Sequence, residues 1–408
     1  MRTPLVCVMF AVLAVPLNLA AQSLPLTEQD ALARLSPDSP RLRAIRAPID
    51  IARAEVLSVA RWPNPRATYD RESVAGNTEH IATVGQSLPI SGRRGFEKQA
   101  AGTLVEAGTD RSNDAERRLR TDLQLAFAQL VAAQTREREL MASRNRLAAL
   151  ADILAKREAA GDASGFDRLR AEHEVVDVDA DRAGAATDRA RAQAILASYF
   201  DAPVDPSQIV AVEREALALA PPNVDALIER ATSNRGDLLA LRKEIDAARL
   251  SARAAQRRAV PEPEVVAGTK SSSVNGGSVG GVLTIQAVIP LFDRGRPEHA
   301  LAVARAGQAE ARLAAFQQSL RSEIAALRAT VLERRDTAGR YRAAAVAGAL
   351  RLEQIAQISY DAGERGILEL LDAQRLGSSA RIRQVNLDLA VRQAELELAF
   401  VSGWEVTE

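Results

Sequence analysis

The sequence is short of cysteine, of aromatic side chains and of long apolar runs, and each shortage removes a class of protein. Its single cysteine, Cys7, falls inside an apolar N-terminal stretch. A chain processed after that stretch carries no disulfide, no thiol nucleophile and no thiolate metal site. Aromatics make up 3% of residues, low for a compact core or a large aromatic-girdled barrel. Beyond the N-terminus no apolar run approaches ~18 residues, so no later transmembrane helix is expected. Net charge is absent as well: 53 Lys+Arg balance 53 Asp+Glu, which gives no argument for a nucleic-acid partner. The histidines His80, His173 and His299 do not stand at ligand spacing to one another, so neither a metal site nor another cofactor is expected. No G-x-S-x-G, P-loop or other catalytic constellation is present, which argues against an enzyme.

What is abundant is alanine, leucine, arginine and glutamate, the composition of long helices and coiled coils. Arg2, the apolar run Leu5 to Val15 and the small pair Ala20 and Ala21 read as a secretory signal over residues 1–21. An N-terminal membrane anchor is the alternative, but polar sequence follows too soon for a good spanning helix.

The chain then reads as helix from Thr27, broken by a Pro37/Pro40 turn and ended at Trp62-Pro63-Asn64-Pro65, where two prolines force extended backbone. Strand-like runs at 66–73 and 80–90 follow, joined by Ala75-Gly76-Asn77, and are expected to form a hairpin. From about Phe96 to Lys156 there is no proline, and apolar residues recur at helical spacing. Such a helix would be about 90 Å long, so other long helices must pack along it. The tip REAAGDASGFDRLRAEHE (157–174) turns the chain back into helix as far as about Tyr199.

The same order then repeats about 200 residues later. A helix expected over Val224–Val260 ends at Pro261-Glu262-Pro263. Strand-like runs over 264–271 and 279–291 follow, and VIPLFDRGR (288–296) stands where SLPISGRRG (87–95) stood. A second long helix, opened by Pro297, leads to the tip YDAGERGILELLDAQR (360–375). The expected organisation is therefore a signal at 1–21 and a first repeat over 22–222, with its β-hairpin at 66–90 and its tip near 161–167. The second repeat spans 223–408, with its β-hairpin at 264–291 and its tip near 360–372. Leu283, Ile285, Ala287 and Ile289 alternate with Val282, Thr284, Gln286 and Val288, as in a transmembrane strand. Two edge hairpins in a soluble helical protein would also fit. Four strands cannot close a barrel in lipid, so membrane strands would have to be pooled by several chains.

With these features the sequence resembles the outer-membrane efflux proteins of the TolC type across essentially the whole mature chain. The resemblance is carried by the duplicated layout, by VIPLFDRGR and its counterpart SLPISGRRG, and most specifically by YDAGERGILELLDAQR. It implies a mainly α fold with a small β part: long-helix hairpins forming a periplasmic α-barrel, and four strands per chain in a trimeric transmembrane β-barrel. It also implies a homotrimer in the outer membrane of a Gram-negative-type cell, with a large periplasmic part. The partners implied are outer-membrane lipid, a periplasmic adaptor and an inner-membrane pump. The implied function is the exit duct of a tripartite efflux or type I secretion system. By matched motif, Tyr360 and Arg365 would tie the coils shut against Asp167, and Glu369 and Asp372 would ring the entrance. Phe166 departs from the small polar residue expected beside Asp167. SGRR after the first hairpin looks like the subgroup serving heavy-metal pumps, so metal cations are a candidate cargo. The rival reading is a non-channel periplasmic coiled-coil adaptor or scaffold. An adaptor normally carries one helical hairpin between β-rich halves, whereas this chain has two.

Overall fold

The computed structural model describes residues 23–162, 164–213 and 219–404; the signal read at 1–21 lies outside them. In chain order the elements are β1 (Leu24–Leu26), α1 (Glu28–Ala33), α2 (Pro40–Ala60), β2 (Arg66–Val74), β3 (Asn77–Ser87), α3 (Arg93–Ala159) and α4 (Gly165–Ala197). There follow β4 (Ile209–Ala211), α5 (Val224–Asn234), α6 (Gly236–Gln256), β5 (Pro263–Ser272), β6 (Ser278–Ala287), α7 (Arg296–Tyr341), α8 (Ala347–Asp361) and α9 (Ile367–Ser402). A π turn, Arg342–Val346, links α7 to α8 within one continuous helical run. The fold is mainly helical with a small β part, as the composition and spacing led us to expect.

Helix α3 is 67 residues long, about 100 Å at the α-helical rise. It packs against α2, α4, α6 and α9. No single core could cover such a rod, and the buried side chains fall into three clusters along it. Near mid-length, Leu26, Leu42, Leu123, Phe127, Leu130, Leu196 and Ile209 join α1–α4 to the short parallel pair β1–β4. A second cluster of Leu227, Leu238, Leu320, Ile324, Leu398 and Trp404 holds α5, α6, α7 and α9 together. The third lies at the helical tips. Each fully buried leucine contributes ~1.5–3 kcal/mol, so these clusters fasten the bundle at intervals.

The helix ends follow from local chemistry. Thr27 and Asp30 form a reciprocal capping box on α1. Ser39 and Asn223 side chains accept from Leu42 N and Ala226 N at the starts of α2 and α5. Two expectations need correction. The helix read through 224–260 is broken at Arg235, because α6 starts where Gly236 presses against α3: a Cβ there would lie 2.1 Å from Asp110 O. The strand-like runs read at 80–90 and 279–291 end at Ser87 and Ala287 rather than at Ile90 and Leu291, since the backbone leaves the sheet before Pro89 and Pro290.

At the end opposite the tips, β2, β3, β5 and β6 form one antiparallel sheet in that order. The register puts Ala67, Tyr69, Ala82, Val84, Val265, Ala267, Leu283 and Ile285 on one face, which is mostly apolar but also carries Arg71, His80, Gln86 and Thr269. Thr68, Glu79, Thr83, Glu264, Lys270 and Gln286 lie on the other, tied by Lys270–Glu79 at 2.6 Å and Gln286–Glu264 at 2.9 Å. The apolar face is bare: Leu283 and Ile285 are 74% and 72% exposed. Both outer strands, β2 and β6, present an open edge within this chain.

Candidate functional site: the helical tips

Both tips are closed by the same backbone device. At the first, Gly161 has φ +84° and Asp162 N donates to Arg157 O at 2.8 Å. At the second, Gly363 has φ +72° and Glu364 N donates to Ser359 O at 2.9 Å. A left-handed residue followed by a six-residue ring bond is the Schellman stop, and glycine takes that conformation without a Cβ penalty. The chain then re-enters helix at Ser164, whose Oγ accepts from Phe166 N at 3.1 Å, and at Gly366.

Under the tips Leu147, Leu150 and Leu154 of α3 meet Ala171 of α4, Ala356 of α8, and Ile367, Leu370 and Leu371 of α9. Tyr360 packs on this cluster. The Arg157 guanidinium lies over its ring, 5.6 Å from the centroid, and Arg157 Nη1 makes a long hydrogen bond of 3.5 Å to its hydroxyl. Thus the tyrosine picked out in the sequence is held by an arginine of the other tip that spacing did not reveal. Arg365 and Asp167 sit on the second and first tips, the first exposed and the second half-buried. Among the described residues neither forms an ion pair, so one copy of the chain does not bring the two together. Glu369 lies in the first turn of α9, and Asp372 one turn further on; both are exposed and share a side of the helix.

Two ion-pair groups add what the sequence reading missed. Arg168 bridges Glu158 at 2.5 Å and Glu172 at 2.7 Å, stapling α3 to α4. Arg375 of α9 pairs with Glu174 of α4. That bond, with Asp177 and Asp372 close by, raises the Arg375 pKa further above its ordinary value. Asp372 therefore stands beside a cation of its own helix, while nothing comparable is seen at Glu369. Among the described residues no group of three or more His, Cys, Asp or Glu is placed to hold a metal ion. No helix there is long and apolar enough to cross a membrane.

Residues 227–403 match the model of the family described as outer membrane efflux protein. The second half of the chain is thus similar to outer membrane efflux proteins. Other similarities extend over nearly the whole chain. The chain is 24% identical over 366 residues to the cobalt-zinc-cadmium resistance protein CzcC of Cupriavidus metallidurans, covering 89% of this chain and 86% of CzcC. Its fold matches a membrane protein from Pseudomonas aeruginosa with a TM-score of 0.77 at 21% identity, covering 92% of this chain and 93% of that one. It also matches the outer-membrane channel OprN with a TM-score of 0.74 at 19% identity, covering 92% and 89% of the two chains.

Proposed function

We propose that the chain is the outer-membrane duct of a tripartite efflux assembly, receiving cargo at the helical tips from an inner-membrane pump through a periplasmic adaptor. The observation that carries this reading is the sheet: four strands, one bare apolar face, one polar face and two open edges. Unpaired backbone edges are not tolerated in hydrocarbon. Copies of the chain must therefore join edge to edge, and three copies give an even-numbered barrel of ordinary size. The polar face with Glu79, Lys270, Glu264 and Gln286 then lines the pore. This reading makes the protein a conduit and not a catalyst.

At the other end, Glu369 and Asp372 of three copies would ring the opening with carboxylates and favour cations. Arg365 and Asp167, unpaired within one copy, would meet between copies or across the closed entrance. The likeness to CzcC makes divalent metal cations the cargo we favour. Wild-type protein reconstituted in planar bilayers should form cation-preferring pores, and Glu369→Gln with Asp372→Asn should lower that preference. Arg365→Ser or Asp167→Ala should raise the open fraction; unchanged conductance in both would refute the latch. A scaffold without a pore would wash from membranes without detergent and would not run as a trimer.

A further inference from the structure

A cavity of about 220 Å³ lies where the sheet meets the helices, lined by Gln256, Arg294, Gly295, Arg296 and His299. Its walls come from the last residue of α6, the connection after β6 and the first turn of α7. Gln256 Nε2 and His299 Nε2 lie 3.0 Å apart on one side. Arg294 gives its Nε to Pro290 O at 3.2 Å. Among the described residues neither Arg294 nor Arg296 has a carboxylate partner. The nearby acids are already engaged: Arg258 pairs with Glu298 and lies 3.6 Å from Asp293 Oδ2. Two exposed guanidiniums without a carboxylate partner thus stand on one cavity wall.

The surroundings say which anion would fit. The residues entering this connection, Val288, Ile289, Leu291 and Phe292, are all strongly exposed, and Phe292 is 99% exposed. They continue from the bare apolar face of the sheet. A ligand with an anionic group for the arginines and an apolar body for this run meets both halves of the surface. Guanidinium forks match phosphate oxygens in geometry and charge, and cations at a membrane border attract phospholipid headgroups.

We propose that this cavity binds the phosphate of a phospholipid headgroup in the leaflet facing the helices, with the acyl chains lying along Val288, Ile289, Leu291 and Phe292. The proposal rests on the reading that the sheet sits in a bilayer. The first junction is poorer in cations: Arg93 there is bound by Glu97 and Glu262, and Arg94, like Arg294, binds a backbone carbonyl, so among the described residues one arginine rather than two is without a carboxylate partner.

The test uses the full-length protein in detergent, titrated with dioleoylphosphatidylglycerol, with dioleoylglycerol, which has the same chains and no phosphate, and with inorganic phosphate. Retained lipid is read by native mass spectrometry. The phospholipid should bind at least tenfold more tightly than dioleoylglycerol. Arg294→Ala with Arg296→Ala should abolish that preference, and Arg294→Lys with Arg296→Lys should keep most of it. Arg312→Ala with Arg351→Ala, on exposed helix faces elsewhere, should leave it intact. Equal binding of the two lipids, an unaffected alanine variant, or inorganic phosphate competing at equal concentration would overturn the proposal. Reconstitution into liposomes separates the two readings. A wild-type chain that enters liposomes yet shows no phosphate preference sinks only this site, whereas one that does not enter sinks the membrane reading too.

Discussion

The chain crosses from sheet to long helix twice, at Gly92 and at Gly295, and the two crossings use one backbone conformation in different surroundings. Both glycines cap their helix in the left-handed region, with φ +74° and +76°. Around Gly92 there is open space, and the junction is closed by side chains. Ser91 Oγ donates to Glu262 at 2.5 Å, and Arg93 binds Glu97 at 2.8 Å. Around Gly295 the packing is by backbone, since a Cβ would lie 2.2 Å from Ala255 O, and among the described residues the arginines beside it have no carboxylate partner. A similar turn can thus be secured by polar side chains or by close backbone approach. The second leaves two arginines without a carboxylate partner among the described residues, the first only Arg94.

Substitution of the two glycines tests this contrast most strongly. Gly92→Ala should cost only the left-handed penalty, ~1–2 kcal/mol. Gly295→Ala should add overpacking of a further ~1–3 kcal/mol, visible as a lower denaturation midpoint by circular dichroism. Equal losses at the two sites would erase the distinction. Next in size, Glu262→Ala strips the first junction of its acceptor and should cost ~1–2 kcal/mol. Arg294→Ala at the second, in lipid-free detergent, should stay within ~0.5 kcal/mol.

At the tips, Arg157→Ala removes the cation lying over Tyr360 and should cost ~0.5–1 kcal/mol, with little change at the sheet end. The smallest effect is expected where α6 docks on α3. Asp114 has its pKa raised, by burial first and then by the charge of Asp237, while Gly236 N–H and nearby arginines pull the other way. The folded chain therefore holds this proton to higher pH than the unfolded chain. Its stabilising contribution is complete below the ordinary value of 3.8 and fades as pH climbs through the raised one. Asp114→Asn should gain in melting temperature over wild type at pH 7, with the gain shrinking as pH falls towards 4.

Much of this architecture could be read in the sequence because punctuation marks it. Pro63/Pro65 and Pro261/Pro263 end helices, alternation marks β6, and the glycines of both tips mark reversals. What escaped depends on contacts between distant residues. The break at Arg235 has a local hint in Gly236, but its cause is the α3 backbone at Asp110, over a hundred positions earlier. The β1–β4 pair joins three residues to three, too few for any periodic signal. At the tips, Tyr360 was legible as a candidate, yet its partner Arg157 and the Arg375–Glu174 pair are set by packing of one hairpin on the other. The π turn falls in the alanine-rich stretch Arg342–Val346, where composition gives no mark at all.

That turn bears on how the two halves tolerate changes of length. A residue added to or removed from a regular α-helix swings everything beyond it by about 100°. In α3 such a change would carry Leu147, Leu150 and Leu154 off the face they share with α4 and α9. A π turn is a place where one surplus residue is already accommodated. Removing a residue between Arg342 and Val346 would let ordinary helix reform while Ala356 and Tyr360 kept their aim. The second half can therefore absorb a one-residue deletion in the last third of its longest helical run, and α3 in the first half has no comparable place to lose one.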